Sequence, residues 1–300
     1  MGKPPGRLDV VSTPIGNLSD LSERARSSLA QADVIAAEDT RHTLGLLQSL
    51  GLARPLVSLH AHNESERIPQ LLERLAAGET VALVSDAGTP LLSDPGAGLV
   101  RAAVQSGYEV RAIPGPSAIM AALVVAGLPT TRFCFEGFLP AAARERRERL
   151  TALAAEARTL VFFEAPHRIA ACLVDMSTVF GAERPAAAAR ELTKLHETIY
   201  RGTLGELAAR AAREENFQRG ELTLIVQGVA AEACAGKMAE GELRRVLPLL
   251  LKELAPGKAA SLAAQLCGVR RNEAYRLALQ LHEAAPPPSP APRRKHRDRR

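Results

Sequence analysis

The chain has 300 residues, with Lys+Arg 38 against Asp+Glu 33, a formal charge of +5 and 46% hydrophobic residues. That apolar content excludes global disorder, and with 3% aromatics and no Trp the cores must come from Leu, Val, Ile and Ala. Six Arg/Lys and one Asp in Arg293–Arg300 carry the whole charge excess, which excludes a protein basic over its entire surface.

The length suggests about two domains. No apolar run approaches the roughly 18–20 residues of a membrane span. No apolar stretch follows Met1–Arg7, so no secretory signal is expected. Cys134, Cys172, Cys234 and Cys267 show no CxxC or Cys/His spacing, which predicts a cytoplasmic protein without disulfides or structural zinc.

The first half repeats an apolar strand, a small or polar loop and a helix-like stretch. Strands are predicted at Leu8–Ser12, Val34–Ala37, Leu56–Leu59, Thr80–Ser85 and Glu109–Ile113. Asp20 is the predicted cap of the first helix, running to about Gln31. Such alternation predicts an α/β fold with a parallel N-terminal sheet, whose ligand crevice lies at the strands' carboxyl ends. Loops of Gly, Pro and small polar residues stand there: Ser12–Asn17, Ser85–Pro90 and Pro114–Ala118. They allow close approach to the main chain.

Past a boundary near Leu128-Pro129, strands are predicted at Arg132–Phe138, Thr159–Phe163, Ala186–Ala189, Glu197–Arg201 and Glu221–Val226. Helices fit 144–156, 167–180 and 204–215. The close strand spacing predicts a mixed C-terminal sheet. From about Ala230 the sequence turns helical. Helices at Glu242–Leu254, Lys258–Leu266 and Asn272–Glu283, with a turn at Cys267-Gly268-Val269, form a helix-turn-helix-like appendage. Asn272 is the predicted cap of the last helix. Pro286–Pro292 reads as a PPII-like spacer before a basic tail. The expected domains are 1–128, 129–230 and 231–284, with 285–300 expected to be disordered.

Common nucleotide signatures are absent. Gly96–Arg101 lacks the third glycine of GxGxxG and follows a loop, and there is no P-loop motif. His60 and His62 lack further marked ligands, so no metal site is expected. Glu38-Asp39 beside Arg41-His42 could transfer protons or hold a phosphate. Arg190–Lys194 is similar in kind. Arg144, Arg146, Arg147 and Arg149 put a basic face on one helix, a candidate RNA-backbone contact.

Seven motifs in order then point to a family: Thr13-Pro14-Ile15-Gly16-Asn17-Leu18, Ala37–Arg41, Val84–Pro90, Pro114–Ala118, Phe135–Pro140, Phe163–Arg168 and Ala189–Lys194. Over residues 7–283 the chain resembles the S-adenosylmethionine-dependent 16S rRNA (cytidine-2′-O-)methyltransferases of the tetrapyrrole methylase superfamily. The resemblance implies a two-domain body with S-adenosylmethionine in its cleft, and a homodimer. It implies action on a decoding-region cytidine within the 30S subunit. Cofactor contacts would fall at Pro14, Asp86, Ala87, Gly88, Ser117, Ala118, Phe163 and Thr193. The first loop is glycine-rich in the tetrapyrrole enzymes but Thr-Pro-Ile-Gly-Asn here, as fits a different acceptor.

The implied reaction is an in-line displacement, which needs no metal because a sulfonium already makes its methyl electrophilic. Candidate bases are Glu38, Asp39 and a desolvated, neutral Lys194. Arg41, Arg168 and Arg190, with His42, Arg144 and Arg147, are candidate RNA contacts. On the appendage, Arg244, Arg245, Lys258, Arg270, Arg271 and Arg276 would dock RNA. The rivals are a precorrin-type small-molecule methyltransferase and a non-catalytic RNA-binding protein.

Overall fold

The structure, a computed structural model, describes residues 6–229 and 231–283, with side-chain surroundings for all of these except 231–240 and 282–283. The Pro-rich spacer and basic tail lie outside the described residues. The chain folds as two compact units divided between Gly228 and Val229.

The first unit contains two five-stranded sheets. The N-terminal sheet comprises β1 (Arg7–Val11), β2 (Val34–Ala37), β3 (Leu56–Ser58), β4 (Thr80–Val84) and β5 (Glu109–Ile113), in the order β3-β2-β4-β1-β5. All its pairings are parallel, as the alternation predicts. The intervening helices are α1 (Glu23–Gln31), α2 (Thr40–Ser49), α3 (Glu64–Ala76) and α4 (Ala97–Gln105). One apolar layer gathers Leu8, Ala36, Leu71, Leu83 and Leu99, and the opposite layer gathers Val11, Leu29, Ile35, Leu47 and Val84. Burial on both faces explains why β2 and β4 read as nearly unbroken apolar runs.

The cap of α1 differs from the expectation. Asp20 ends a separate 3-10 turn at Leu18–Asp20, and Ser22 caps α1 by accepting from Ala25 N–H.

α5 (Ala118–Ala126) ends at Gly127, whose φ of 73° closes the helix before the chain enters the second sheet. That sheet comprises β6 (Phe133–Phe138), β7 (Thr159–Glu164), β8 (Pro185–Arg190), β9 (Thr198–Thr203) and β10 (Leu222–Val226). Its order is β6-β7-β10-β8-β9, with β6–β7 parallel and the rest antiparallel. It is therefore mixed, as expected. α6 (Ala143–Leu153), α7 (Ile169–Phe180) and α8 (Leu204–Arg213) cover one face through Leu150, Leu173, Leu207 and Phe162. α5 covers the other through Ile119, Ala122 and Leu123 against Val161, Ala187 and Ile225. Small alanines along β8 leave room for that helix.

The second unit contains α9 (Ala231–Leu250), α10 (Pro256–Cys267) and α11 (Arg271–Glu283). Pro256 stands at the first turn of α10, and Gly268 closes it with φ 66°. α11 begins one residue before Asn272, which therefore lies inside the first turn instead of capping it. Leu243 and Leu247 pack with Ala259, Ala263, Ala274 and Ala278. No described helix is long and apolar enough to cross a membrane.

Candidate active site

The loops after β1, β4 and β5 are stitched together at the sheet's carboxyl edge. Thr13 N–H donates to Gly88 O at 2.8 Å and Gly88 N–H returns a bond to Thr13 O at 3.1 Å. Thr13 Oγ1 donates to Ser85 O. Thr89 Oγ1 donates to Pro116 O and lies 3.1 Å from Ser12 Oγ. Gly88 has φ 80°, and a Cβ there would lie 3.3 Å from Ile15 Cγ2, so glycine keeps this wall open.

These loops form one side of a cavity of about 360 Å³ whose other side comes from β6, β7, β8 and β10. The volume falls in the range of small-molecule sites, about 300–1,000 Å³. Of the expected cofactor contacts, Ala87, Gly88, Ser117, Ala118 and Phe163 line it. Pro14, Asp86 and Thr193 do not. Asp86 instead accepts from Asp39 N–H, tying the β4 loop to the β2 loop. Thr193 is held at φ 65° with Glu197 accepting from its N–H, and its buried Oγ1 has no hydrogen-bond partner among the described residues.

All four described non-glycine residues with positive φ lie in two loops near this cavity: Leu91, Ser93, Glu191 and Thr193. Such conformations cost on the order of 1–3 kcal/mol each and gather at functional sites.

Three carboxyl groups line the cavity that sequence reasoning missed, Asp94, Glu164 and Glu221. Burial pushes the Asp94 carboxyl up, assisted by the charge of Asp86, although a hydrogen bond from Ser85 opposes the shift. Glu164 is buried and paired with Arg168 at 3.1 Å. No sequence signal marks Asp94; only the fold brings its acid to the cavity.

The candidate bases separate clearly. Asp39 accepts from Arg41 N–H and pairs with Arg41 Nη2 at 2.6 Å, so it is the cap of α2 and its carboxyl lies well below the usual range. Glu38 shifts the other way: burial raises its carboxyl, reinforced by Asp94, Asp86 and Asp39. Lys194 pairs with Glu191 at 2.9 Å and Glu221 at 3.3 Å. Burial pulls its amine down, but the two carboxylates outweigh this and the net shift is upward. A neutral Lys194 is therefore corrected to an ion-paired ammonium. None of the three lines the cavity.

The arginines also divide. Arg190 is only 9% exposed and donates to Arg219 O and His196 O, so it anchors two loops instead of awaiting a phosphate. Arg168 donates to Leu139 O and Pro140 O and faces Glu164. On α6, Arg146 is buried on Asp175, Arg147 reaches the same carboxylate, Arg144 pairs with Glu148 and Arg149 pairs with Glu136. The expected basic face is thus largely neutralised. Arg41 and His42 are exposed at the start of α2, and Arg270 and Arg271 are exposed before and at the start of α11. Among the described residues no group of three or more His, Cys, Asp or Glu side chains is placed to hold a metal ion.

Residues 7–208 match the family described as Tetrapyrrole (Corrin/Porphyrin) Methylases, which defines the class of the two-sheet body. Residues 237–282 match the RsmI C-terminal HTH domain. The uroporphyrin-III C-methyl transferase of Thermus thermophilus, solved in complex with S-adenosyl homocysteine, superposes with TM-score 0.52 at 20% identity, covering 74% of this chain and 97% of that one. The Ribosomal RNA small subunit methyltransferase I of Xylella fastidiosa is 55% identical over 271 residues, 90% of this chain and 98% of the relative. That of Pseudomonas aeruginosa is 52% identical over 276 residues, 92% and 97% of the two chains. The chain belongs to the ribosomal RNA small subunit methyltransferase I family.

Proposed function

We propose that this protein transfers a methyl group from S-adenosylmethionine to the ribose 2′-hydroxyl of a decoding-region cytidine in 16S rRNA, within the 30S subunit and in the cytoplasm. The observation that carries the reading is the cavity, which the small residues Ala87, Gly88, Ser117 and Ala118 line together with the acid Asp94. The residues fit the methyl donor: a wall of small side chains leaves room for an adenosine and amino-acid tail, and an acid without a cationic partner among the described residues suits a sulfonium or ammonium. The orphaned Thr193 hydroxyl offers a further donor nearby.

When bound, S-adenosylmethionine supplies an electrophilic methyl on a sulfonium, which activates the displacement without a metal. The chain's part is to hold acceptor and donor in line, which can supply roughly 7–11 kcal/mol. Glu38 is the favoured base candidate, because burial and its acidic neighbours push its carboxyl up whereas Arg41 holds Asp39 down. Lys194, as an ammonium, would position its loop against the Gly16 turn, where a glycine Cβ would lie 2.3 Å from Lys194 Cγ. Arg41 and the exposed Arg270 and Arg271 are the proposed phosphate contacts. A homodimer belongs to the same reading. Met120 and Val124, one turn apart and exposed on α5, offer an apolar face that a second copy would cover.

The test incubates the protein with methyl-labelled S-adenosylmethionine and, separately, undermethylated 30S subunits, naked 16S rRNA and a tetrapyrrole precursor. Label recovered as 2′-O-methylcytidine from one 16S position is expected. Label on the tetrapyrrole, on a base, or nowhere would overturn the reading.

A further inference from the structure

β6 contains an irregularity that changes what faces the cavity. It runs parallel to β7 in regular register through Phe135 opposite Val161, then skips Glu136, so that Gly137 pairs with Phe162 and Phe138 with Phe163. Unbroken register would place Phe138 beside Glu164, in phase with Leu160 and Phe162, which pack into the helix-covered core. The bulge returns Phe138 to the face of Val161 and Phe163, where the cavity lies. Gly137 makes this possible with φ 67°, and a Cβ there would lie 3.0 Å from Ser93 Oγ. Bulges beside active sites commonly re-aim one side chain.

The re-aimed ring is supported from behind. Phe163 lies 5.6 Å from Phe138 and 4.9 Å from Phe135, centroid to centroid, in tilted and edge-to-face geometry. Yet Phe138 itself is 55% exposed, the most open of the chain's seven Phe and three Tyr. Leaving an aromatic face in water forgoes its burial, and nothing in the fold requires it. A side chain that lines a cavity and still keeps half its surface in solvent stands at the mouth, where an acceptor must enter. Leu92 lines the same cavity, is also exposed, and lies between the positive-φ residues Leu91 and Ser93.

We propose that Phe138 is a stacking platform for the nucleobase of the acceptor nucleotide, placed by the β6 bulge to present that nucleotide's ribose to the cavity. This rests on the RNA-methylation reading given above. Unpaired bases are characteristically held on aromatic faces. The platform needs no hydrogen-bond readout, since any base offers a π-face.

The test compares wild type with Phe138→Ala, Phe138→Leu and Phe138→Tyr, measuring methyl transfer to 30S subunits and, separately, S-adenosylhomocysteine binding by titration calorimetry. Loss of one stack should lower kcat/KM by about 5- to 150-fold in the Ala and Leu variants. Phe138→Tyr should keep most activity, and S-adenosylhomocysteine affinity should stay within about twofold throughout. Thermal denaturation of each variant checks that it is folded. Unchanged transfer by Phe138→Ala would overturn the platform. So would a parallel loss of S-adenosylhomocysteine affinity, which would give the ring to the methyl donor, or full activity in Phe138→Leu, which would make it simple apolar packing. If wild type itself transfers no methyl to rRNA, the underlying reading fails and takes the platform with it. Activity in wild type with an unaffected Ala variant would sink the platform alone.

Discussion

Arg190 gives the sharpest test of how the charged residues are assigned. Its guanidinium donates to Arg219 O at 2.8 Å and His196 O at 3.0 Å, joining the loop that holds Thr193 and Lys194 to the turn before β10. Replacement by Met keeps the aliphatic stem but leaves both carbonyls without their charged donor. Hydrogen bonds to charged groups contribute about 1.5–3 kcal/mol each, and because the loops can partly relax the expected loss is about 2–4 kcal/mol. For a domain of 150–250 residues each kcal/mol lowers Tm by about 2–4 °C, so Arg190→Met should melt about 4–16 °C below wild type. A phosphate clamp makes a different prediction. Losing one phosphate contact would leave Tm alone and reduce the slope of log affinity against log salt by about 0.7–0.9. Differential scanning fluorimetry and 30S binding at several salt concentrations separate the two. An unchanged Tm with a reduced salt slope would refute the anchor.

Other expectations concern the cavity and the acid cluster. Gly88→Val should cost about 1–2 kcal/mol from its left-handed backbone and lower S-adenosylhomocysteine affinity at least about tenfold; wild-type affinity in calorimetry would show that the wall tolerates a side chain. Because burial raises Asp94, a cationic donor that favours its ionised form should bind more tightly as pH rises above the ordinary carboxylate range. Asp94→Asn should abolish that dependence for S-adenosylmethionine, and a profile identical to wild type would exclude Asp94 as the charge partner. Glu38→Gln should lose transfer while keeping S-adenosylhomocysteine affinity, and should lose more than Lys194→Ala or Asp39→Ala. Its raised carboxyl costs the fold stability above the ordinary glutamate range and nothing well below it, so Glu38→Gln should also raise Tm at neutral pH, with the gain fading toward pH ~4. A variant no more stable than wild type at neutral pH would contradict that electrostatic account.

The sheets were legible because their apolar runs end in unmistakable punctuation. Val34–Ala37 stops at Glu38-Asp39, and Glu109–Ile113 stops at Pro114-Gly115. The three small-residue loops were legible for the same reason: close backbone approach requires residues that are rare elsewhere. What stayed hidden depends on neighbours remote in sequence. Nothing local distinguishes Arg190, buried against two carbonyls, from exposed Arg41. Lys194 reads as a desolvated amine until Glu221, far along the chain, is folded beside it. Phe138 escaped because a single skipped residue reverses which side of a strand faces the cavity, and strand alternation presumes that no residue is skipped.

The distribution of charge sets a last constraint on how RNA can be held. Asp39, Asp86 and Asp94 all push the Glu38 carboxyl up, Asp86 does the same to Asp94, and residues 1–231 carry 24 basic against 26 acidic side chains. Such a concentration of acids, with Asp94 on the cavity wall, repels phosphates, so backbone affinity must be supplied by cations elsewhere. Arg270, Arg271 and Arg276 are exposed on the helical unit and make no ion pair with another described residue. The double charge reversal Arg270→Glu/Arg271→Glu should therefore weaken 30S binding strongly at low salt and progressively less as salt screens the contacts. S-adenosylhomocysteine affinity and Tm of the body should not move. If 30S affinity were unchanged at low salt, docking would have to come from the body's own exposed arginines, with Arg41 the first to replace.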